Sequence, residues 1–204
     1  MKRLFSLTLI VAAIWMLPTQ ASAQFNFGKL WGSIVGSDEP SRYEKLAESA
    51  PKSSDILGTW YYSSAKVDYF GDNILAEYAV DEIDGIAQDY LEAYGVDAGY
   101  FKVTLKRNGT VVGNLGDESL EGTYDYDDSN AKCKIYVTLL DTELSCDGYV
   151  EQYNNRLKVY LEAGDIVAGL KRLNLDINSS VLDMVYSVVS EFDDIMIAIT
   201  FSRS

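Results

Sequence analysis

Histidine is absent from this 204-residue chain, and cysteine occurs only twice, at Cys133 and Cys146. Together these shortages leave no ordinary structural zinc site and no Ser-His-Asp or Cys-His catalytic pair, so no metal and no cofactor is called for. Basic residues are scarce as well: 17 Lys and Arg stand against 31 Asp and Glu, a formal net charge of −14 and a pI near 4.3. An acidic surface is repelled by a phosphate backbone, which argues against a nucleic-acid partner. Proline is the fourth shortage, with three in all and none after Pro51. What remains is rich in side chains that build a core: 48% of residues are hydrophobic, and there are 15 tyrosines. With 24% charged residues, this is the composition of a folded domain, neither a disordered tail nor a membrane bundle.

The amino terminus has a separate logic. Met1-Lys2-Arg3 is a short basic stretch, Leu4 to Leu17 is almost wholly apolar, and Ala21-Ser22-Ala23 is a small-x-small cleavage pattern. The pattern predicts a signal peptide over 1–23 and a mature start at Gln24. The apolar run is shorter than a comfortable bilayer span and ends at Pro18, which favours cleavage over anchoring. No cysteine follows the cleavage site, so a lipoprotein is not expected. The expectation is an exported protein, periplasmic or extracellular, with no integral membrane segment in its mature chain. Residues 24–54 read as a short amphipathic helix, with Phe27, Leu30, Trp31, Ile34 and Val35 on one stripe, followed by a polar linker from Gly36 to Ser54.

From Asp55 onward, over 55–204, period-2 alternation dominates. Ile56, Gly58, Trp60 and Tyr62 share one face of a first strand, and Phe101, Val103 and Leu105 one face of a second. Asn108-Gly109 then turns the chain. A type I turn with a bulge at Gly109 sets Leu105 opposite Val111 and keeps the large apolar side chains on one face. Leu120, Gly122, Tyr124 and Tyr126 continue the pattern, as do Cys133 to Leu139, Leu144 to Val150 and Leu157 to Leu161. The last segment, Ile195 to Phe201, is apolar on both faces, as expected where one face meets a core and the other a helix. Two longer stretches switch to helical spacing. Asp72 to Tyr94 carries Leu75, Ala79, Ile83, Ile86 and Tyr90, with Asp72 as N-cap, Gly95 just past the end and Gly85 as a weak point. Ser179 to Asp194 starts with Ser180 and Asp183 in a capping-box arrangement, and a short helical turn is predicted from Asp165 to Leu173. About eight strands with short turns predict an antiparallel β-barrel with helices (mainly β, α+β), one helix lying between strands 1 and 2 and another before the last strand.

The ordered set Ile56-Leu57-Gly58-Thr59-Trp60, Asp72-Asn73-Ile74-Leu75, Asn108-Gly109-Thr110, Leu120-Glu121-Gly122-Thr123-Tyr124 and the tail Ser180 to Phe201 resembles a family of exported lipocalin-like proteins of Bacteroides-type bacteria. The resemblance implies a lipocalin-like barrel and supplies no catalytic residue and no ligand. The large helix after strand 1 departs from ordinary lipocalins, which usually carry an extended loop there. In such barrels the Gly-x-Trp tryptophan plugs the closed end beneath an arginine. That implies structural roles for Trp60 and for Arg203, which shares the strand parity of Phe201.

Candidate ligand-binding residues are those of the inward face: Tyr62, Phe101, Val103, Leu120, Tyr124 and Tyr126. Tyrosine offers a large apolar body with one polar handle, which suits an amphiphile, but barrels of this size are also filled completely by side chains. The sequence leaves both readings open. A disulfide between Cys133 and Cys146 is uncertain too. With Asp141-Thr142 as the turn, Cys146 lies opposite Val137 and the offset to Cys133 is roughly 13 Å, beyond bonding reach. The run Asp125, Asp127, Ser129, Asn130 lacks the glycine and closing glutamate of a calcium loop, and Asp193-Asp194 marks a helix exit. The leading expectation is a non-catalytic protein binding a small hydrophobic or amphiphilic molecule. The alternatives are a protein- or glycan-interaction module with a filled core, its partner unspecified, and last an enzyme using carboxylates or Tyr.

Overall fold

The computed structural model describes residues 40–93, 95–173 and 186–203. The predicted signal peptide, the amphipathic stripe from Phe27 to Val35 and the Ser180/Asp183 cap lie outside them. Eight antiparallel strands close in sequence order: β1 (Gly58–Tyr69), β2 (Lys102–Leu105), β3 (Thr110–Leu115), β4 (Glu118–Asp127), β5 (Lys132–Leu139), β6 (Thr142–Tyr153), β7 (Arg156–Glu162) and β8 (Ile195–Ser202), with β8 pairing back onto β1. Helix α1 (Arg42–Glu48) precedes the barrel, α2 (Ile74–Ala93) lies between β1 and β2, and α3 (Ala163–Arg172) follows β7 directly. The chain is helical again over 186–191, just before β8.

The alternation read from the sequence is the alternation of the sheet. Along β4 every residue from Glu118 to Asp127 switches between half-buried and exposed. The β2–β3 turn is the bulged one: Leu105 pairs with Val111, Gly109 has a φ of +78°, and the Lys106 amide bonds the Thr110 carbonyl at 2.9 Å. The β5–β6 turn differs from expectation. Leu140 and Asp141 take φ values of 48° and 63°, a tight two-residue turn of left-handed residues, so Leu139 pairs with Thr142 and Cys146 with Ile135. The earlier placement of that turn at Asp141-Thr142 is thereby corrected. No Asn-Gly or Asp-Gly pair signals the true position.

In β1 a register shift between Tyr62 and Ser64 inverts the parity. Trp60 and Tyr62 point inward below it, Ala65 and Val67 above it. The pairing of β1 with β2 runs only from Gly58 to Tyr61, and α2 serves the exposed edge beyond. The Asp84 carboxylate accepts from the Val67 amide at 2.7 Å, and the Gln88 amide donates to the Ala65 carbonyl at 2.8 Å. Side chains of a helix thus replace a missing strand, satisfying backbone groups whose burial unpaired is costly. Two corrections concern α2. It is one continuous helix through Gly85. Its cap is Asn73, which accepts from the Leu75 amide at 2.9 Å, in place of Asp72. Of its expected stripe Ala79 and Ile83 are buried and Leu75 is half-buried, and Ala76, Val80, Ala87 and Leu91 are buried beside them.

The expected linker from Gly36 to Ser54 is corrected as well, because Arg42–Glu48 within it is a helix. Ser41 and Glu44 close a reciprocal capping box at its start. Leu46 is buried in a second apolar cluster with Phe70, Ala131, Tyr160, Met196 and Ala198 on the outside of the barrel. This explains why β8 is apolar on both faces: Ile195, Ile197 and Phe201 belong to the inner core, while Met196 and Ala198 meet the α1 cluster. The chain after α1 is pinned too. Tyr126 donates to the Pro51 carbonyl at 2.7 Å, and the Ser53 amide and hydroxyl bond Asp128.

Candidate functional site

The two ends of the barrel are built differently. At the end where β1 begins, Trp60 is fully buried and its indole N–H donates to the Ile56 carbonyl at 2.7 Å. The Arg203 guanidinium lies 4.1 Å from the centre of the Trp60 ring and donates to the Asp55 and Leu57 carbonyls at 2.8 and 2.7 Å. Cation–π attraction and two charge-assisted hydrogen bonds hold the chain ends across the sheet seam. Tyr124 and Tyr126 belong to this packed end. The Tyr124 hydroxyl donates to the Lys106 carbonyl at 2.9 Å, and that of Tyr126 reaches Pro51.

Above this layer the barrel is hollow. A cavity of about 260 Å3 is lined by Tyr62, Phe101, Val103 and Leu120 together with Leu105, Val111, Ile135, Val137, Leu157, Val159, Ile197, Ile199 and Phe201. Of the six candidate residues, the structure brings Tyr62, Phe101, Val103 and Leu120 onto the cavity wall; Tyr124 and Tyr126 lie outside it. Tyr62 and Phe101 stack with ring centres 4.8 Å apart, and Phe101 meets Phe201 edge to face at 5.7 Å. Gly113 and Gly122 also line the space; at Gly122 a Cβ would collide with the Tyr136 carbonyl of β5, so only glycine allows that close approach. Burial raises the Tyr62 hydroxyl pKa, partly opposed by a backbone hydrogen bond at Ala65.

The other end is covered by helices. Ile166, Gly169, Leu170 and Leu173 of α3 and its exit, with Leu91 and Val96 at the end of α2, complete the cavity wall. Val188, Val189 and Phe192 of the helical segment before β8 pack against the same core. The sequence pattern gives the helical turn from Asp165 to Leu173, which the structure extends to Ala163–Arg172, but spacing along the chain does not tell that its residues line the cavity. The polar groups at this end are Ser145, Cys146 and Asp165. The Asp165 carboxylate accepts from the Asp147 amide at 2.8 Å.

Cys133 and Cys146 are both free thiols. Cys133 pairs with Gly148 and Cys146 with Ile135, so they sit on a diagonal two residues apart, with backbones about 7 Å from one another. The register error in the turn made them look farther apart than they are. Burial pushes the Cys133 thiol up to about 12 and raises Cys146 as well, with Asp165 adding to the effect. Both are therefore protonated at neutral pH and poor nucleophiles. Among the described residues no group of three or more Cys, Asp or Glu is arranged to hold a metal ion.

An eight-stranded antiparallel barrel, plugged under an arginine at one end and hollow towards the other, defines a lipocalin-like protein. The chain belongs to the lipocalin-like domain family DUF4923, whose family model matches residues 41–203. Barrels of this kind are typically non-catalytic. A solved structure to which the chain is similar is a DUF4847 family protein from Bacteroides vulgatus ATCC 8482. It is 15% identical, covering 74% of this chain and 96% of that one, with a TM-score of 0.37. So loose a likeness bears on no site residue. No curated protein matches the chain. Among the described residues no helix is long and apolar enough to cross a membrane.

Proposed function

We propose that this protein is an exported, non-catalytic binding protein that holds a small hydrophobic or amphiphilic molecule inside its barrel. The observation that carries the reading is the apolar cavity of about 260 Å3. An engineered apolar cavity of about 150 Å3 already takes up benzene, so the space here suits a body of one or two rings or a short alkyl chain. A few polar groups at one end of an apolar chamber are the usual make-up of a ligand pocket. The raised pKa of the Cys146 thiol on the wall, which leaves it a poor nucleophile at neutral pH, supports the non-catalytic part. The export part rests on the signal-peptide pattern at 1–23 and places the protein in the periplasm or outside the cell.

The reading is tested by titrating the purified protein with N-phenylnaphthylamine, a neutral dye that fluoresces in apolar surroundings. Saturable one-to-one binding is expected, and Leu120→Trp, which fills the chamber, abolishes it while leaving the circular dichroism spectrum of the barrel intact. Absence of saturable binding, or binding unchanged in Leu120→Trp, overturns it.

A further inference from the structure

We propose that the barrel cavity discriminates by head-group charge, accepting neutral or amine-bearing amphiphiles and rejecting carboxylates, with Asp165 as the discriminating residue. This deepens the binding reading above and depends on it. Asp165 is the one charged side chain on the cavity wall among the described residues; no Lys or Arg lines it. One carboxylate oxygen is engaged by the Asp147 amide at 2.8 Å, and among the described residues no donor is bonded to the other.

The surroundings reinforce the sign. Burial raises the pKa of Glu162, next to α3, and the carboxylates of Asp165, Asp147 and Asp194 push it up further against a smaller opposing effect of Lys134. The cations nearby are committed outside the chamber. Lys134 pairs with Asp147 at 2.8 Å, and the Lys171 ammonium lies 3.3 Å from the centre of the Tyr186 ring. The start of α3 does not offer a vacant anion site, because Asp165 stands in its first turn and answers the helix dipole with its own charge. A carboxylate entering head-first meets a cluster of negative charge in which Lys134, the cation that acts on Asp165 and Glu162, is already paired with Asp147. An ammonium or hydroxyl meets an acceptor.

The test is displacement of N-phenylnaphthylamine from the intact protein at pH 7 and physiological salt by octylamine, octanol and octanoate, which share one chain and differ in the head. Octylamine is expected to displace the dye at a concentration about tenfold or more below that needed for octanoate, the size of one charge-assisted hydrogen bond, with octanol between them. Asp165→Asn retains an acceptor for the Asp147 amide and is expected to close most of that gap. Octanoate equal to or better than octylamine overturns the inference, as does an undiminished gap in Asp165→Asn. Failure of the dye itself to bind overturns the binding reading and this one with it, so the two failures are distinct.

Discussion

At the scale of single residues, the barrel's packed end depends on Trp60 and Arg203. Arg203 is exposed, yet it joins carbonyls ahead of β1 to the end of β8 through two hydrogen bonds and a ring contact. Arg203→Ala removes all three and leaves the Asp55 and Leu57 carbonyls to water. It is expected to cost about 1–3 kcal/mol, read as a lower urea midpoint at unchanged slope. A Lys at this position recovers only part of the loss, since an ammonium does not present the planar fork that spans both carbonyls. A midpoint within error of the parent would make the arginine a bystander. These two residues were legible from the Gly-x-Trp resemblance and from strand parity. Tyr62 was also legible by parity, whereas Tyr124 and Tyr126 share its inward side without sharing its height in the barrel. Parity tells which face a residue occupies and nothing of its level along the axis, which is why two of the six candidates fall outside the cavity.

At the scale of elements, α1 is held to β1 by ion pairing as well as by its apolar face. The Arg42 guanidinium bonds both oxygens of Asp68, at 2.8 and 2.7 Å, while lying 4.5 Å from the centre of the Phe70 ring. Lys66 adds a contact to Asp68 at 3.2 Å. Burial pushes the Asp68 pKa up, but hydrogen bonding and charge from Arg42, with Lys66, outweigh it and leave it below its usual value. A carboxylate with a depressed folded pKa contributes stability above its unfolded pKa near 4 and loses it as pH falls through the lower folded value. Urea unfolding of the parent and of Asp68→Asn should therefore differ most at neutral pH and converge on acidification below about pH 4. A gap that stays constant down to pH 2 would refute the ion-pair account. The sequence hid this element because Ser41, Glu44 and the two flanking prolines resemble loop punctuation, and one buried leucine in seven residues makes no periodic signal. The long helices and most strands were readable because their periods extend over enough residues to be counted. The Leu140-Asp141 turn was not, since neither residue type advertises a left-handed conformation, and a slip of one turn position carried the cysteine spacing with it.

At the scale of the whole molecule, the sheet closes although β2 is short, because α2 stands in for the strand missing beside the upper half of β1. The interior beside it is incompletely filled, with residues of α2 and α3 lining its far end. A void of this size costs stability, since its lining atoms lack partners that a packed core would supply. On the proposed binding reading the hollow trades stability for binding, and a substitution that fills it should move the two properties in opposite directions. Val137→Phe adds a larger apolar side chain at a wall position of the chamber on β5. It is expected to raise unfolding free energy by about 0.5–2 kcal/mol, the usual range for cavity filling, and to weaken dye binding by about tenfold or more. Overpacking would instead lower stability by about 1–3 kcal/mol, and a packed chamber with intact dye binding would place the dye elsewhere. Denaturant melts and dye titrations on the same preparation separate these cases: only a joint rise in stability and fall in binding identifies the empty volume as space kept open for a ligand.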